Sequence, residues 1–204
     1  MRRKRNVMMI HGAWSSSQGF NHISKMIDMY LESYIRYTIF FDYNPSFDSL
    51  EKIVAKARKR LDEDDAETLV VGHSLGGLIA LAISDHPACY RTITLASPLS
   101  GIKIEKMFQP FIYARAPILG EIAPLSNFIK NIQNKHYEKP IDCLVTTKGF
   151  SPVILEKSDG VISLETQEKW MPQSAVATYV GCNHYEILQS DQAFSTIKKA
   201  LISQ

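Results

Sequence analysis

Several stretches of this chain are apolar on consecutive residues rather than on alternate ones: "NVMMI" from Asn6, "TLVV" from Thr68, "TITLA" from Thr92 and "IDCLV" from Ile141. A strand of that kind has no face to turn to water, so both of its faces need cover. Between the strands lie segments with a helical period. Phe20, Ile23, Ile27, Tyr30, Leu31 and Tyr34 mark one apolar helix face, and Leu50, Ile53, Val54, Ala57 and Leu61 mark another. The second leaves Lys52, Lys56, Lys59 and Arg60 in water, with Asp48 as its expected N-cap and Glu51 as the capping-box partner. "YTIFFDY" and "AVATYVG" read as further strands and "LGGLIALAIS" as a third helix. A closing helix has Asp191 as N-cap and Phe194, Ile197 and Leu201 on one side. Strand, helix, strand in succession implies right-handed crossovers. The fold class is therefore α/β, a mainly parallel twisted sheet with helices on both faces and ligands beyond the carboxyl ends of the strands.

A chain of 204 residues suits a single domain spanning 1–204. Residues 98–140 fit the alternation poorly. They are apolar, carry Pro110, Pro117 and Pro124, and predict one crossover helix plus a small cap or lid insertion.

The totals exclude some roles. A net charge of +2 with scattered basic residues gives no basic face for nucleic acid. Arg2 to Arg5 read as a solvated lead-in to the first strand, since "VMMI" is too short for the core of a signal peptide. No run approaches the roughly 18 apolar residues of a membrane span. The expectation is a cytoplasmic protein without stable membrane insertion, and nothing sets an oligomeric state. Cys89, Cys143 and Cys182 are odd in number and lack CxxC spacing, so they read as free thiols and neither a disulfide framework nor a zinc site is expected.

One polar group stands out against the apolar runs. In "VVGHSLGGL", Ser74 sits between Gly72 and Gly76, with a strand before it and a helix after it. A G-x-S-x-G turn of this kind lifts a serine hydroxyl above the sheet, and the small residues let the strained backbone form. The plainer reading is an N-cap serine. "VVGHSLGGL", "MMIHGAW" and "GCNHYEIL" together resemble the α/β-hydrolase superfamily in a compact, esterase- or lipase-like form, over Val7 to about Leu201.

That resemblance implies a triad in the order serine, acid, histidine. Ser74 would be the nucleophile and His184, after the last strand, the base. Asp159 in "SDGV" would be the acid, with Gly160 making its turn; Glu156 and Glu165 are fallback acids. The oxyanion hole would take the amides of Leu75 and of Ala13 in "HGAW", with Trp14 as the near alternative to Ala13. Gly12, Trp14 and Phe111 are expected to border the substrate. Phe108, Tyr113, Ile118 and Leu119 either line an acyl pocket or pack as core. The other histidines have blander readings: His11 in the His-Gly turn after the first strand, His73 before the nucleophile where the family often packs a histidine, His86 at a helix end, His22 and His136 in polar surroundings. The implied activity is hydrolysis of a carboxylic ester through an acyl-enzyme, on a small-molecule or acyl ester, with no cofactor and no metal. A thioesterase or an acyl-carrier-protein methyl ester esterase would use the same residues. A perhydrolase or lyase, or a non-catalytic binding protein on the same fold, is a further alternative.

Overall fold

A computed structural model describes residues 3–104 and 109–203, apart from the side chains of Pro110 and Phe111. β1 (Arg5–Ile10), α1 (Asn21–Leu31), β2 (Ile35–Phe41), α2 (Leu50–Asp62), β3 (Thr68–His73), α3 (Leu75–Ala82) and β4 (Cys89–Leu95) alternate along the chain. Three short helices follow, α4 (Gln109–Arg115), α5 (Pro117–Glu121) and α6 (Asn127–Asn134). Then come β5 (Ile141–Thr146), α7 (Leu164–Glu168), β6 (Ala175–Val180) and α8 (Asp191–Ile202). The strands form one six-stranded sheet in the order β2-β1-β3-β4-β5-β6. Every pairing is parallel.

The consecutive apolar residues are explained by where they point. Along β1, Val7 and Met9 face one layer, with Phe20 just before α1, Ile23, Ile27 and Leu31 of α1, and Ile197 and Leu201 of α8. Met8 and Ile10 face the other, with Ile53 of α2, Ile79 of α3 and Ile129 and Ile132 of α6. All of these side chains are buried. Each such burial contributes roughly 1.5–3 kcal/mol, so a polar residue at any of them would cost the sheet one of its faces. Tyr30 departs from the expected helix face: it stays 57% exposed and meets Phe194 only at the rim, ring centroids 6.0 Å apart.

Two cap expectations need correction. The N-cap of α2 is Ser49, whose side chain accepts the Lys52 N–H, while Asp48 pairs with Lys56 Nζ at 2.6 Å. The N-cap of α8 is Ser190, accepting the Ala193 N–H, and Asp191 is the first helical residue. In both places the serine occupies the extended backbone position from which a side chain reaches the third amide. Residues 98–140 hold more than a crossover helix. Three short helices occupy that stretch, and Ile118, Ile122, Ile129 and Ile132 join the core. Glu121 accepts the Leu50 N–H at 3.0 Å, tying α5 to the start of α2. Ile118 is therefore core, and Leu119 packs on it. Phe108 and the Phe111 side chain lie outside the described residues.

The strand order fixes where a ligand can sit. From β1 the chain moves outward to β2; from β3 it moves the opposite way to β4. The loops leaving β1 and β3 therefore run to opposite sides at the carboxyl edge, the usual ligand position in such sheets. At the opposite, amino edge, Arg5 Nη1 donates to the Ser203 carbonyl at 3.0 Å and holds the end of α8 beside the start of β1. Arg91 and Asp142 form a two-point ion pair between the starts of β4 and β5.

Candidate active site

Ser74 stands at the β3–α3 junction with φ 53° and ψ −121°, a conformation that costs a non-glycine residue on the order of 1–3 kcal/mol. Its amide donates to Leu95 O at 2.8 Å and its carbonyl accepts from Gly77 N–H at 3.0 Å, so the strained turn is held from both sides. The side chain does not cap α3, which separates it from an ordinary N-cap serine. The flanking glycines are needed for close approach. A Cβ on Gly72 would collide with the backbone of Gly76, and one on Gly76 with the carbonyl of Ile10. Gly12, across from β3, brings the β1 loop against the serine: a Cβ there would stand 3.1 Å from Ser74 Cβ.

The loop after β1 is fixed by His11. The Tyr43 N–H donates to His11 Nε2 at 3.2 Å, so Nδ1 carries the proton and donates to Gly12 O at 2.7 Å. The Tyr43 ring stacks on the imidazole with centroids 4.4 Å apart, and its hydroxyl donates to His11 O at 2.9 Å. The Gly12–Ala13 peptide is trans, so a carbonyl turned toward His11 turns the Ala13 N–H away from it. Among the described residues, neither that amide nor the Leu75 amide at the start of α3 donates to a protein acceptor. Trp14 continues this loop at φ 50° and is 56% exposed.

Asp159 and His184 are both buried and meet with Nδ1 and Oδ2 2.7 Å apart. The aspartate follows β5 in a turn completed by Gly160 at φ 95°. Its Oδ1 accepts the amides of Val161 at 3.0 Å and Ile162 at 2.9 Å. Its Oδ2 accepts the Thr146 hydroxyl at 2.6 Å and Gln167 Nε2 at 3.3 Å, besides His184. Burial alone would raise the carboxyl's pKa. The His184 hydrogen bond and charge, the Ile162 amide and the Thr146 hydroxyl outweigh it, and Asp159 titrates below its ordinary value. The His184 backbone is held at both ends. Its N–H donates to Asp159 O at 3.0 Å, and its carbonyl accepts from His73 Nε2 at 2.8 Å. Burial first, then the neighbouring His184, pushes His73 down to about 3, so it serves as a neutral donor.

The chain thus brings together Gly12, Ala13, Ser74 and Leu75 at the carboxyl ends of β1 and β3, and Asp159 with His184 on the loops after β5 and β6. The fallback acids stay out. Glu165 is exposed and paired with Lys169 at 2.8 Å, and Glu156 is exposed. His86 pairs with Asp62 at 2.9 Å, while His22 and His136 are exposed. Among the described residues no group of three or more His, Cys, Asp or Glu gathers as metal ligands, and no helix is long and apolar enough to cross a membrane. Sequence reasoning missed Thr146, Gln167 and Tyr43, and treated His73 only as packing and His11 only as part of the turn after the first strand. Nothing in the local pattern "LETQEK" marks Gln167 as buried; a threonine closing an apolar strand before the acid loop was the one available hint.

The model of the alpha/beta hydrolase family matches residues 7–178. No curated protein matches the chain by sequence. Among solved structures, the mature lipase BlEst2 of Bacillus licheniformis superposes with a TM-score of 0.70 at 16% identity, over 97% of this chain and 92% of that one. A monoacylglycerol lipase of Paleococcus ferrophilus gives 0.68 at 14% identity, over 99% and 96%. The lin2722 product of Listeria innocua gives 0.67 at 14% identity, over 98% and 95%. At these identities the likeness is one of fold.

Proposed function

Because the chain belongs to the alpha/beta hydrolase family, we propose that it is a serine hydrolase that cleaves carboxylic esters through Ser74, His184 and Asp159. The reading is carried by the buried His184–Asp159 pair, 2.7 Å between nitrogen and oxygen, together with a serine at the strained β3–α3 turn whose hydroxyl does not cap its own helix. With Nδ1–H given to Asp159, Nε2 of His184 is the base.

His184 takes the Ser74 proton as Oγ adds to the ester carbonyl carbon, and the Asp159 anion stabilises the resulting imidazolium. The tetrahedral oxyanion accepts hydrogen bonds from the Ala13 and Leu75 amides, the latter at the start of α3, where the helix favours negative charge. Collapse breaks the ester C–O bond, and the alcohol leaves with the proton from His184. Water then attacks the acyl-enzyme, giving its proton to the same nitrogen; the acid departs and Ser74 is restored. No step calls for a cofactor. Gly12 leaves the substrate carbonyl room beside Ser74, and Trp14 borders the entrance. The similarity in fold to two proteins named as lipases favours esters over other acyl compounds.

The test is hydrolysis of p-nitrophenyl esters from acetate to laurate by wild type and by Ser74→Ala. The variant should lose about 10⁴-fold or more of kcat, and the chain-length optimum sizes the acyl site. Turnover confined to acyl thioesters would make the protein a thioesterase with the same residues. A wild type inactive on every substrate, with Ser74 unlabelled by a fluorophosphonate, ends the hydrolase reading in favour of a binding role.

A further inference from the structure

Gln167 is 1% exposed, on α7, in a chain where glutamine has no apolar reason to be inside. Its side-chain amide pairs with the last residue of β5 as a neighbouring strand would: Oε1 accepts the Thr146 N–H at 3.0 Å and Nε2 donates to Thr146 O at 3.1 Å. That pairing settles which end of the amide is which, because the Thr146 N–H requires an oxygen opposite it. The second N–H of Nε2 is thereby aimed at Asp159 Oδ2, 3.3 Å away. The Thr146 hydroxyl has one proton to give and lies 2.6 Å from the same Oδ2, against 3.1 Å from Gln167 Oε1; the shorter bond to the carboxylate takes it.

We propose that Gln167 is a positioning residue for Asp159: it clamps the end of β5 and, directly and through the Thr146 hydroxyl, fixes Oδ2 toward His184 while sharing the charge that His184 feels. The inference rests on the reading of Asp159 and His184 as a working acid–base pair. Hydrogen bonds from Gln167 and Thr146 draw charge away from the face of Oδ2 that meets His184. Removing them concentrates it there, which favours the imidazolium and raises the pKa of His184 relative to wild type.

The other groups facing the pair do not obscure that titration. His73 on β3 has its ring 4.8 Å from His184 and is pushed down to about 3. Cys182 on the loop after β6 is pushed up to about 11 by burial, Glu186 and Asp159. His11 lies beyond His73, Tyr185 meets the His184 ring edge-on at 5.2 Å, and Glu186 is occupied by the Asn183 N–H at 2.9 Å.

The experiment uses the full chain with Gln167→Met, which keeps the length and removes both polar ends, and Gln167→Glu, which keeps the shape. The His184 imidazole is titrated by NMR in each, and p-nitrophenyl butyrate hydrolysis is followed across the same pH range. Gln167→Met should raise the His184 pKa and the acid limb of kcat together by about half a unit or more. Its kcat should fall about tenfold or more, with KM within about twofold. Gln167→Glu places a second buried carboxyl against Asp159. Its activity relative to wild type should be nearest to full in mild acid, where the introduced carboxyl is protonated and donates, and should fall steadily as pH rises. A His184 titration unchanged in both variants, with activity tracking only the folded fraction, overturns the proposal. Should the methionine variant not fold, the pH-dependent ratio of the glutamate variant decides alone. A wild type that hydrolyses no ester refutes the proposed function, while the NMR titration still decides the role of Gln167.

Discussion

The two halves of the candidate site are built by opposite means. The Ser74 elbow is held by shape: glycines that admit no Cβ, a positive φ, and backbone hydrogen bonds to Leu95 and Gly77. The Asp159–His184 pocket is held by polar groups instead, with five donors on one carboxylate and both backbone groups of His184 engaged. A site held by sterics fails when anything is added. One held by hydrogen bonds fails when anything is removed, and its failure depends on pH.

After loss of the nucleophile itself, the largest effect should come from the polar half. Asp159→Asn keeps the size of the side chain but can offer an N–H where His184 needs an acceptor. Its kcat on p-nitrophenyl esters should fall about 10³- to 10⁴-fold in the folded fraction, and the melting temperature should also fall because the new N–H faces buried donors; a loss of tenfold or less in kcat would show the carboxylate to be structural. The steric half should fail in the other manner. Gly76→Ala drives a methyl into the backbone of Ile10 and His11 and should cost about 3 kcal/mol in urea unfolding, and what folds should also lose kcat because the Ser74 turn or the β1 loop must move. A Gly76→Ala protein of wild-type stability and activity would break the contrast.

The next effect separates the halves by pH. His73 is depressed from 6.5 to about 3 in the folded chain, so below pH 6.5 the unfolded chain binds a proton that the folded one refuses. Stability from this group is therefore complete above 6.5 and declines as pH falls toward 3, by up to about 1.4 kcal/mol per pH unit. His73→Gln, which keeps an N–H donor, should flatten that decline in denaturation curves taken from neutral to mildly acid pH. Equal slopes would mean that His73 is not the group responsible. The smallest effect concerns strain. Ser74→Gly should be more stable than Ser74→Ala by about 1 kcal/mol, since only glycine adopts this backbone freely.

The same division explains what was legible in the sequence. The elbow could be read because its contacts are local: Gly72, Ser74 and Gly76 lie within five residues, between an apolar strand and an apolar helix. The sheet could be read for a related reason, since consecutive apolar residues leave a strand no alternative to cover on both faces. The caps at Ser49 and Ser190 were misplaced by one residue because Asp and Ser side chains both cap well, and the choice depends on where the backbone turns. Residues 98–140 could be read only as one crossover helix plus an insertion, because the pairing of α5 and α6 with α2 and α3 is a tertiary matter. Thr146, Gln167 and His73 were hidden for the strongest version of that reason. Their roles arise from chain segments 21 residues apart, as between Thr146 and Gln167, or 111 apart, as between His73 and His184.

The bond between Arg5 and the Ser203 carbonyl has a practical side. It sets both ends of the described chain at the amino edge of the sheet, a strand's length of roughly 20 Å from the edge that carries Ser74. A fluorophore, an affinity handle or a solid support joined beyond Ser203 would therefore face away from Ser74.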